Sequence, residues 1–335
     1  MNYEPPSEEA ITERTRNAAV TVVVPAYNSA DTIVRTLDSL TAQTSTDFCV
    51  LVIDDGSDEE ILGLMPDDPR FLGHRLQTNR GYAGVTNCAL GLISSRWVIF
   101  LDSDDTFDPE CLEVLVARGE MEDSDVVVLP LKTITASGAV SIAGVVDTPS
   151  PLPAPQALQL FIDGRARFNQ HLLFRPNHVR SKDNTYSDLG FVFNLLSTVS
   201  TVSFETRPMY NYFLNAESVT GQLRPSIWDL ATVLDDVEDA LYAVYSGREA
   251  VEAIHRMRWM QLNFMVSKAA GDTQSPRLQA EVYSWCRNEI RFSHVVDAMR
   301  SRHVARGLSL ALARMSRGVH SRAYRLRGRL QEART

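Results

Sequence analysis

Over the first 130 positions, short apolar runs alternate with stretches whose apolar residues recur every three or four places. Val20 to Val24, Phe48 to Ile53 and Trp97 to Leu101 are continuous runs rich in β-branched and aromatic residues, the pattern of buried strands. Pro25-Ala26-Tyr27-Asn28 is expected to end the first of them, because proline cannot continue a central ladder. Between the runs, Ile33, Val34, Leu37 and Leu40 fall at helical spacing up to about Gln43, with Ser29 or Asp31 as cap. Val85, Cys88, Ala89, Leu92 and Ile93 do the same after Asn79-Arg80-Gly81. A short strand near His74 to Gln77, a helix from about Pro109 to Gly119 and a strand from Asp125 to Leu129 extend the alternation. Such a series predicts an α/β fold with a mostly parallel central sheet covered by helices.

The pattern then changes. Leu131 to Ala143 reads as a hairpin around Ser137-Gly138, and the proline-rich Thr148 to Gln156 reads as an extended connector before a helix at Ala157 to Ile162. Leu189, Val192, Phe193 and Leu196 mark an apolar helix face, with Ser187 as N-cap and Asp188 in the first turn, where the helix dipole favours its anion. Past Arg224 the periodicity is helical throughout: Trp228 to Tyr245, Arg248 to Lys268, Leu278 to Met299 and parts of Val304 to Leu330. The expected organisation is a flexible leader over 1–18, an α/β domain over 19–224 and a helical C-terminal module with a basic tail over 225–335.

Charge sharpens this picture. From Arg300 to Thr335 there are ten Arg and one acid, a net +9, so the overall −9 leaves residues 1–299 at −9 − 9 = −18. An acidic body with a basic, leucine-interleaved tail excludes broad nucleic-acid binding. It predicts a tail that lies on an anionic membrane surface, packs on its own body or meets a second copy. No run approaches the roughly 20 apolar residues that span a bilayer, and the polar N-terminus lacks a signal peptide's apolar segment. The expected location is therefore cytoplasmic, with the tail able to reach the inner face of the membrane. Cys49, Cys88, Cys111 and Cys286 are too scattered for a metal site or disulfide framework and read as core residues.

The chemistry gathers where strands stop. Phe100 and Leu101 run straight into Asp102-Ser103-Asp104-Asp105, and Ile53 into Asp54-Asp55. Carboxylates so crowded either lie open to water or hold a hard cation through oxygen ligands. In an open α/β sheet ligands sit at the C-terminal ends of the strands, so Pro25 to Asn28, Asp54, Asp55, Arg80 and Asp102 to Asp105 should face one crevice. A dinucleotide fold wants a glycine-rich turn after the first strand, where this chain has Pro-Ala-Tyr-Asn-Ser-Ala, and no phosphate-cradling loop is present.

Taken in order, VTVVVPAYNSADTIVRTLDSLTAQT, VLVIDDGSDE, NRGYAGVTNCAL and FLDSDD resemble the successive motifs of family 2 glycosyltransferases of the bacterial cell-surface glycan type. The resemblance runs from about Val20 to Pro109 and implies the GT-A nucleotide-sugar fold. It implies that Pro25, Ala26, Tyr27 and Asn28 border the nucleotide, that Asp55 accepts a hydrogen bond from the base with Asp54 in support, and that Arg80, Gly81 and Ser103 lie near the nucleotide. Asp102 and Asp104 would be the DxD carrying Mn²⁺ or Mg²⁺. Asp188, after Tyr186, stands where the family has the second acid of a Glu-Asp pair that supplies the catalytic base; Ser187 replaces the first. The family pattern continues through Pro208 to Tyr212 and Ser218-Val219-Thr220, with Asn215 where an Arg is common. The implied activity is metal-dependent, inverting transfer of a sugar from a nucleotide-sugar, a UDP-sugar, to a hydroxyl on a glycan, polymer or lipid-linked acceptor. A nucleotide-sugar binder without turnover and a metal-dependent nucleotidyltransferase are the alternatives.

Overall fold

The structure is a computed structural model that describes residues 5–144, 148–166, 171–176, 187–214, 223–272, 274–301 and 303–332. Its contacts divide the chain into two compact units, Met1–Asn215 and Ala216–Thr335.

The first unit begins with α1 (Glu8–Arg16), β1 (Val20–Ala26), α2 (Ala30–Thr41), β2 (Phe48–Asp54), β3 (Phe71–Arg75), α3 (Gly81–Leu92) and β4 (Trp97–Phe100). It continues with β5 (Thr106–Phe107), α4 (Cys111–Met121), β6 (Val126–Val128), β7 (Leu131–Ile134), β8 (Val140–Ala143), β9 (Leu152–Pro153) and α5 (Ala154–Ile162). It closes with β10 (Leu173–Phe174), α6 (Ser187–Thr198), β11 (Thr201–Phe204) and β12 (Tyr210–Phe213). Among the described residues the strands form an eight-stranded sheet in the order β3-β2-β1-β4-β10-β6-β11-β9 and a smaller one in the order β5-β12-β7-β8.

The register explains the site. β1 pairs in parallel with β2 on one side and β4 on the other, and β2 with β3, so the C-terminal ends of β1, β2 and β4 line one edge. Both sheet faces are covered, which is why these strands are apolar at consecutive positions. Val22, Val24, Val50, Val52 and Ile99 join a core with Ile33, Leu37 and Leu40 of α2 and with Leu112 and Leu115 of α4. Val23, Leu51, Val98 and Phe100 are equally buried. β10 pairs antiparallel with both β4 and β6, inserting a two-residue strand beside the acidic loop.

Two expectations are corrected. The leader is not a bare flexible segment: Ser7 caps α1, Ile11 is fully buried, and the Thr15 hydroxyl oxygen accepts from Ser94 N at 3.1 Å. β1 also runs through Pro25, in register with Ile53, instead of stopping before it. Val23 O accepts from Leu101 N and Ala26 O from Asp55 N, so odd-numbered residues address β4. β4 pairing ends at Val23, and the N–H that proline lacks has no partner to lose.

The second unit is helical: α7 (Asp229–Val244), α8 (Gly247–Gly271), α9 (Pro276–Glu289), α10 (Phe292–Arg300), α11 (Val304–Met315) and α12 (Arg317–Glu332). The expected Leu278–Met299 helix is broken near Ile290, where Arg291 N donates to His294 Nδ1 and starts α10 afresh. Trp259 is fully buried, and its Nε1 donates to Asp297 Oδ2 at 2.7 Å, tying α8 to α10. His320 of α12 is hydrogen-bonded to Tyr283 of α9 and to Ser309 of α11. Its partners hold the tail helices to the unit, while Leu308, Met315, Val319 and Leu326 stay exposed. No described helix is long and apolar enough to cross a membrane.

Candidate active site

The first wall is the end of β1. Pro25 is half-buried, Ala26 buried and Tyr27 half-exposed. Asn28 takes a positive φ of 47°, a conformation asparagine tolerates better than most residues. Its N–H donates to Ser57 Oγ at 2.9 Å and its Oδ1 accepts from Asp58 N at 2.9 Å, which joins the loops after β1 and β2.

The end of β2 supplies Asp54 and Asp55, both buried. Asp54 Oδ1 accepts from Ser57 N at 2.9 Å and Oδ2 from Arg75 Nη1 at 2.8 Å. Asp55 Oδ1 accepts from Arg80 N at 2.7 Å and Oδ2 from Gly81 N at 2.9 Å. Those are donors at the start of α3, otherwise left without intrahelical partners. Burial raises the Asp55 pKa, opposed by the same two N–H groups. Gly56, at φ 73°, passes within 3.1 Å of the Thr78 and Asn79 backbone measured from where a Cβ would lie, so the turn needs glycine. Gly81 is exposed, and the Arg80 side chain projects into solvent.

The loop after β4 carries the carboxylate cluster. Single carboxylate oxygens of Asp102, Asp104 and Asp105 lie within 4.8 Å of one another. Ser103 is half-buried in the turn between them. Asp105 is fully buried: its Oδ2 accepts from Tyr210 OH at 2.7 Å and its Oδ1 from Phe213 N at 2.8 Å, while its backbone oxygen accepts from Thr36 Oγ1 at 2.8 Å. Burial above all pushes its pKa up to about 8. Asp104 is also raised, first by burial and then by Asp102. The donor set is all oxygen, which suits a hard divalent cation. Asp105 is fully buried while Asp102 and Asp104 are only partly so, which leaves these two the more open to an incoming ion.

The loop before β10 and helix α6 complete the constellation. His171 Nε2 lies 3.4 Å from Asp102 Oδ2, its Nδ1 3.4 Å from Phe100 O, and its ring 4.5 Å from that of Tyr210. Tyr82 OH donates to Asp102 Oδ1 at 3.3 Å. Asp188 opens α6. Although the residue retains exposed surface, protein crowds its carboxyl group, and that lost hydration is the first cause of its raised pKa. The Leu189 N–H and the His171 charge oppose the rise, and Asp102 adds to it. The Tyr82 hydroxyl, its pKa raised first by burial and then by Asp102, also feels Asp188. Carboxylates more than eighty positions apart in sequence thus act on one another. Tyr186, Asn215, Ser218, Val219, Thr220 and the Ser187 side chain lie outside the described residues.

Sequence reasoning assigned no role to His171, Tyr82 or Tyr210. Tyr82 had a usable signal, an aromatic one place after Arg80-Gly81 at a helix start beside the acidic strand ends; His171 had none.

Residues 21–140 match the family model described as glycosyl transferase family 2. Among curated proteins, the chain is 39% identical over 121 residues to the succinoglycan biosynthesis protein ExoO of Rhizobium meliloti, covering 36% of this chain and 35% of that protein. It is 34% identical over 88 residues to WfaP of Escherichia coli, named as a UDP-Glc:alpha-D-GlcNAc-diphosphoundecaprenol beta-1,3-glucosyltransferase, covering 26% and 35%. The chain therefore spans about a third of the length of these relatives. Among solved structures, TarS 1-349 of S. aureus in complex with UDP-GlcNAc superposes with a TM-score of 0.68 at 18% identity, covering 93% of this chain and 92% of that one. At that identity the likeness is one of fold, and the fold is the expected GT-A arrangement followed by helices. By the motifs at its strand ends and the family model they satisfy, the chain carries a family 2 glycosyl transferase domain.

Proposed function

We propose that the protein is a metal-dependent, inverting glycosyltransferase that moves a sugar from a UDP-sugar to a hydroxyl acceptor in bacterial glycan or polysaccharide biosynthesis. The observation that carries this reading is the convergence of Asp188 with Asp102, His171 and Tyr82 at the strand-end edge of the sheet. A donor-side pair of carboxylates and an acceptor-side base are what transfer of a glycosyl group to a hydroxyl needs. The UDP-GlcNAc bound by the TarS structure and the UDP-Glc in the name of WfaP support a UDP-sugar donor.

Asp102 and Asp104 would hold Mn²⁺ or Mg²⁺, which supplies Lewis-acid stabilisation of the charge that develops on a departing diphosphate. Tyr27, exposed at the end of β1, borders the nucleotide base together with Pro25, Ala26 and Asn28. Asp55 acts on the nucleotide by fixing the Arg80–Gly81 backbone, with Asp54 bracing the neighbouring turn through Ser57 and Arg75. Ser103 and the Arg80 guanidinium lie on the nucleotide side. Asp188 takes the proton of the acceptor hydroxyl as the oxygen attacks the anomeric carbon on the face opposite the leaving group. Its raised pKa makes it a stronger base than a solvated aspartate. His171 and Tyr82 hold Asp102 in place.

The acceptor is a glycan, polymer or lipid-linked saccharide. The exposed Met315, Val319 and Leu326, interleaved with Arg314, Arg317, Arg322 and Arg325, bring the enzyme to the anionic inner face of the membrane. The test is a panel of UDP-, GDP- and dTDP-sugars with Mn²⁺, read by the nucleotide released and by the anomeric configuration of the product. UDP release with inverted configuration is expected. Pyrophosphate release would point to nucleotidyl transfer, and affinity without turnover to a binding protein.

A further inference from the structure

The helical unit contains a cavity of about 450 Å³ between α7, α8, α9 and the start of α10. That lies within the range of small-ligand pockets, about 300–1,000 Å³. None of its lining residues belongs to the first unit, which carries Asp102, Asp104, Asp105 and Asp188.

Two features of the lining identify a ligand class. The first is aromatic surface beside polar groups. Trp285 of α9 is half-buried, braced edge-on by Trp228 with ring centroids 5.8 Å apart and planes at 83°, and Tyr242 of α7 is 60% exposed. Rings held this way offer a rigid apolar face next to hydrogen-bonding groups. The second is the charge balance. Asp235, Glu238 and Glu289 face Arg258 and Arg291 across the lining, a near-neutral sum, and Arg258 is already paired with Glu238. An anionic ligand such as a phosphate would meet a lining with three carboxylates against two guanidinium groups, hence no net positive charge. A neutral polyol would find carboxylates and guanidinium groups that accept from and donate to its hydroxyls. Asp235 is exposed and makes no hydrogen bond or ion pair among the described residues. Gln261 also lines the cavity; its Nε2 donates to Leu230 O, and its Oε1, shut off from solvent, has no partner among the described residues. A buried amide oxygen left so is unfavourable, and a small shift toward a donor in the cavity relieves it.

We infer that this cavity is a binding site for a neutral saccharide, its ring stacked on Trp285 or Tyr242 and its hydroxyls bonded to Asp235 and the Glu238–Arg258 pair. It would give the enzyme a glycan-holding site built from the helical unit alone.

The probes are cellotriose, maltotriose and chitotriose, each titrated into the full chain with saturation-transfer NMR up to roughly 10 mM, beyond the weak end of specific binding. At least one should bind and should not be displaced by UDP with Mn²⁺. Trp285→Leu, Tyr242→Ala and Asp235→Ala should each weaken it about tenfold or more while UDP affinity stays unchanged. The last two replace exposed residues, so they decide the matter even if Trp285→Leu fails to fold. Binding by none of the three, displacement by UDP, or undiminished affinity in the Tyr242 and Asp235 variants overturns the assignment. UDP release by the wild-type chain is read separately, so failure here leaves the transferase reading standing.

Discussion

His171 Nε2 stands 3.4 Å from Asp102 Oδ2, so a residue from the loop before β10 steadies the first carboxylate of the acidic cluster. His171→Ala should cut transfer about tenfold or more and loosen Mn²⁺-dependent UDP binding, with metal-free UDP affinity unchanged. Calorimetry with and without the metal separates the two quantities. Equal metal-dependent affinity in variant and wild type would remove His171 from the site.

Asp104→Ala should abolish Mn²⁺-dependent UDP binding and leave the melting temperature intact, because Asp104 supports the ion more than the fold. An unchanged calorimetric affinity would sink the metal assignment.

Asp55 predicts a contrasting outcome. Asp55→Asn keeps one acceptor for the Arg80 and Gly81 N–H groups and loses the other, so it should destabilise by about 1–3 kcal/mol. It should also weaken UDP binding even without metal. Denaturant titration measures the first effect, and a variant as stable as wild type would mean that the loop does not depend on this carboxylate.

Asp188→Asn keeps the shape of the side chain and removes its basicity. Nucleotide-sugar affinity should stay near wild type while transfer falls by about 10²-fold or more. Wild-type turnover in this variant would put the base elsewhere and leave Asp188 as a helix-dipole partner.

Two histidines of the helical unit give a pH dependence. Burial is the first cause that lowers both His294 and His320 from 6.5 to about 4. Between those values the unfolded chain binds protons that the folded chain does not, so stability is full above about pH 6.5 and falls as pH drops toward 4. Each site contributes at most about 3 kcal/mol. His320→Asn should flatten part of the melting-temperature profile over that window, and an unaltered profile would mean that His320 stays charged when folded.

Much of this architecture was legible locally. A continuous apolar run is a buried strand in such a series, so β1, β2, β4 and the carboxylates that follow the last two could be read from a few adjacent residues. The helix that Asp188 opens was legible because it has its own periodicity. His171 was not, because β10 is only Leu173–Phe174, and its antiparallel pairing with β4 and β6 leaves no trace in local spacing. The backbone partners of Asp55 left no local trace for a related reason. Sequence shows acid at the end of β2 but not the Arg80 and Gly81 N–H groups that claim Asp55 from 25 and 26 positions away.

That claim bears on redesign. An engineer wanting the enzyme to accept a different nucleotide would be drawn to Asp55, the acid expected to read the base. Both of its oxygens are anchored to the α3 backbone, so replacing it would disturb the turn at Arg80 and Gly81 along with any preference. Tyr27, half-exposed on a turn held by other residues, is the position to randomise first.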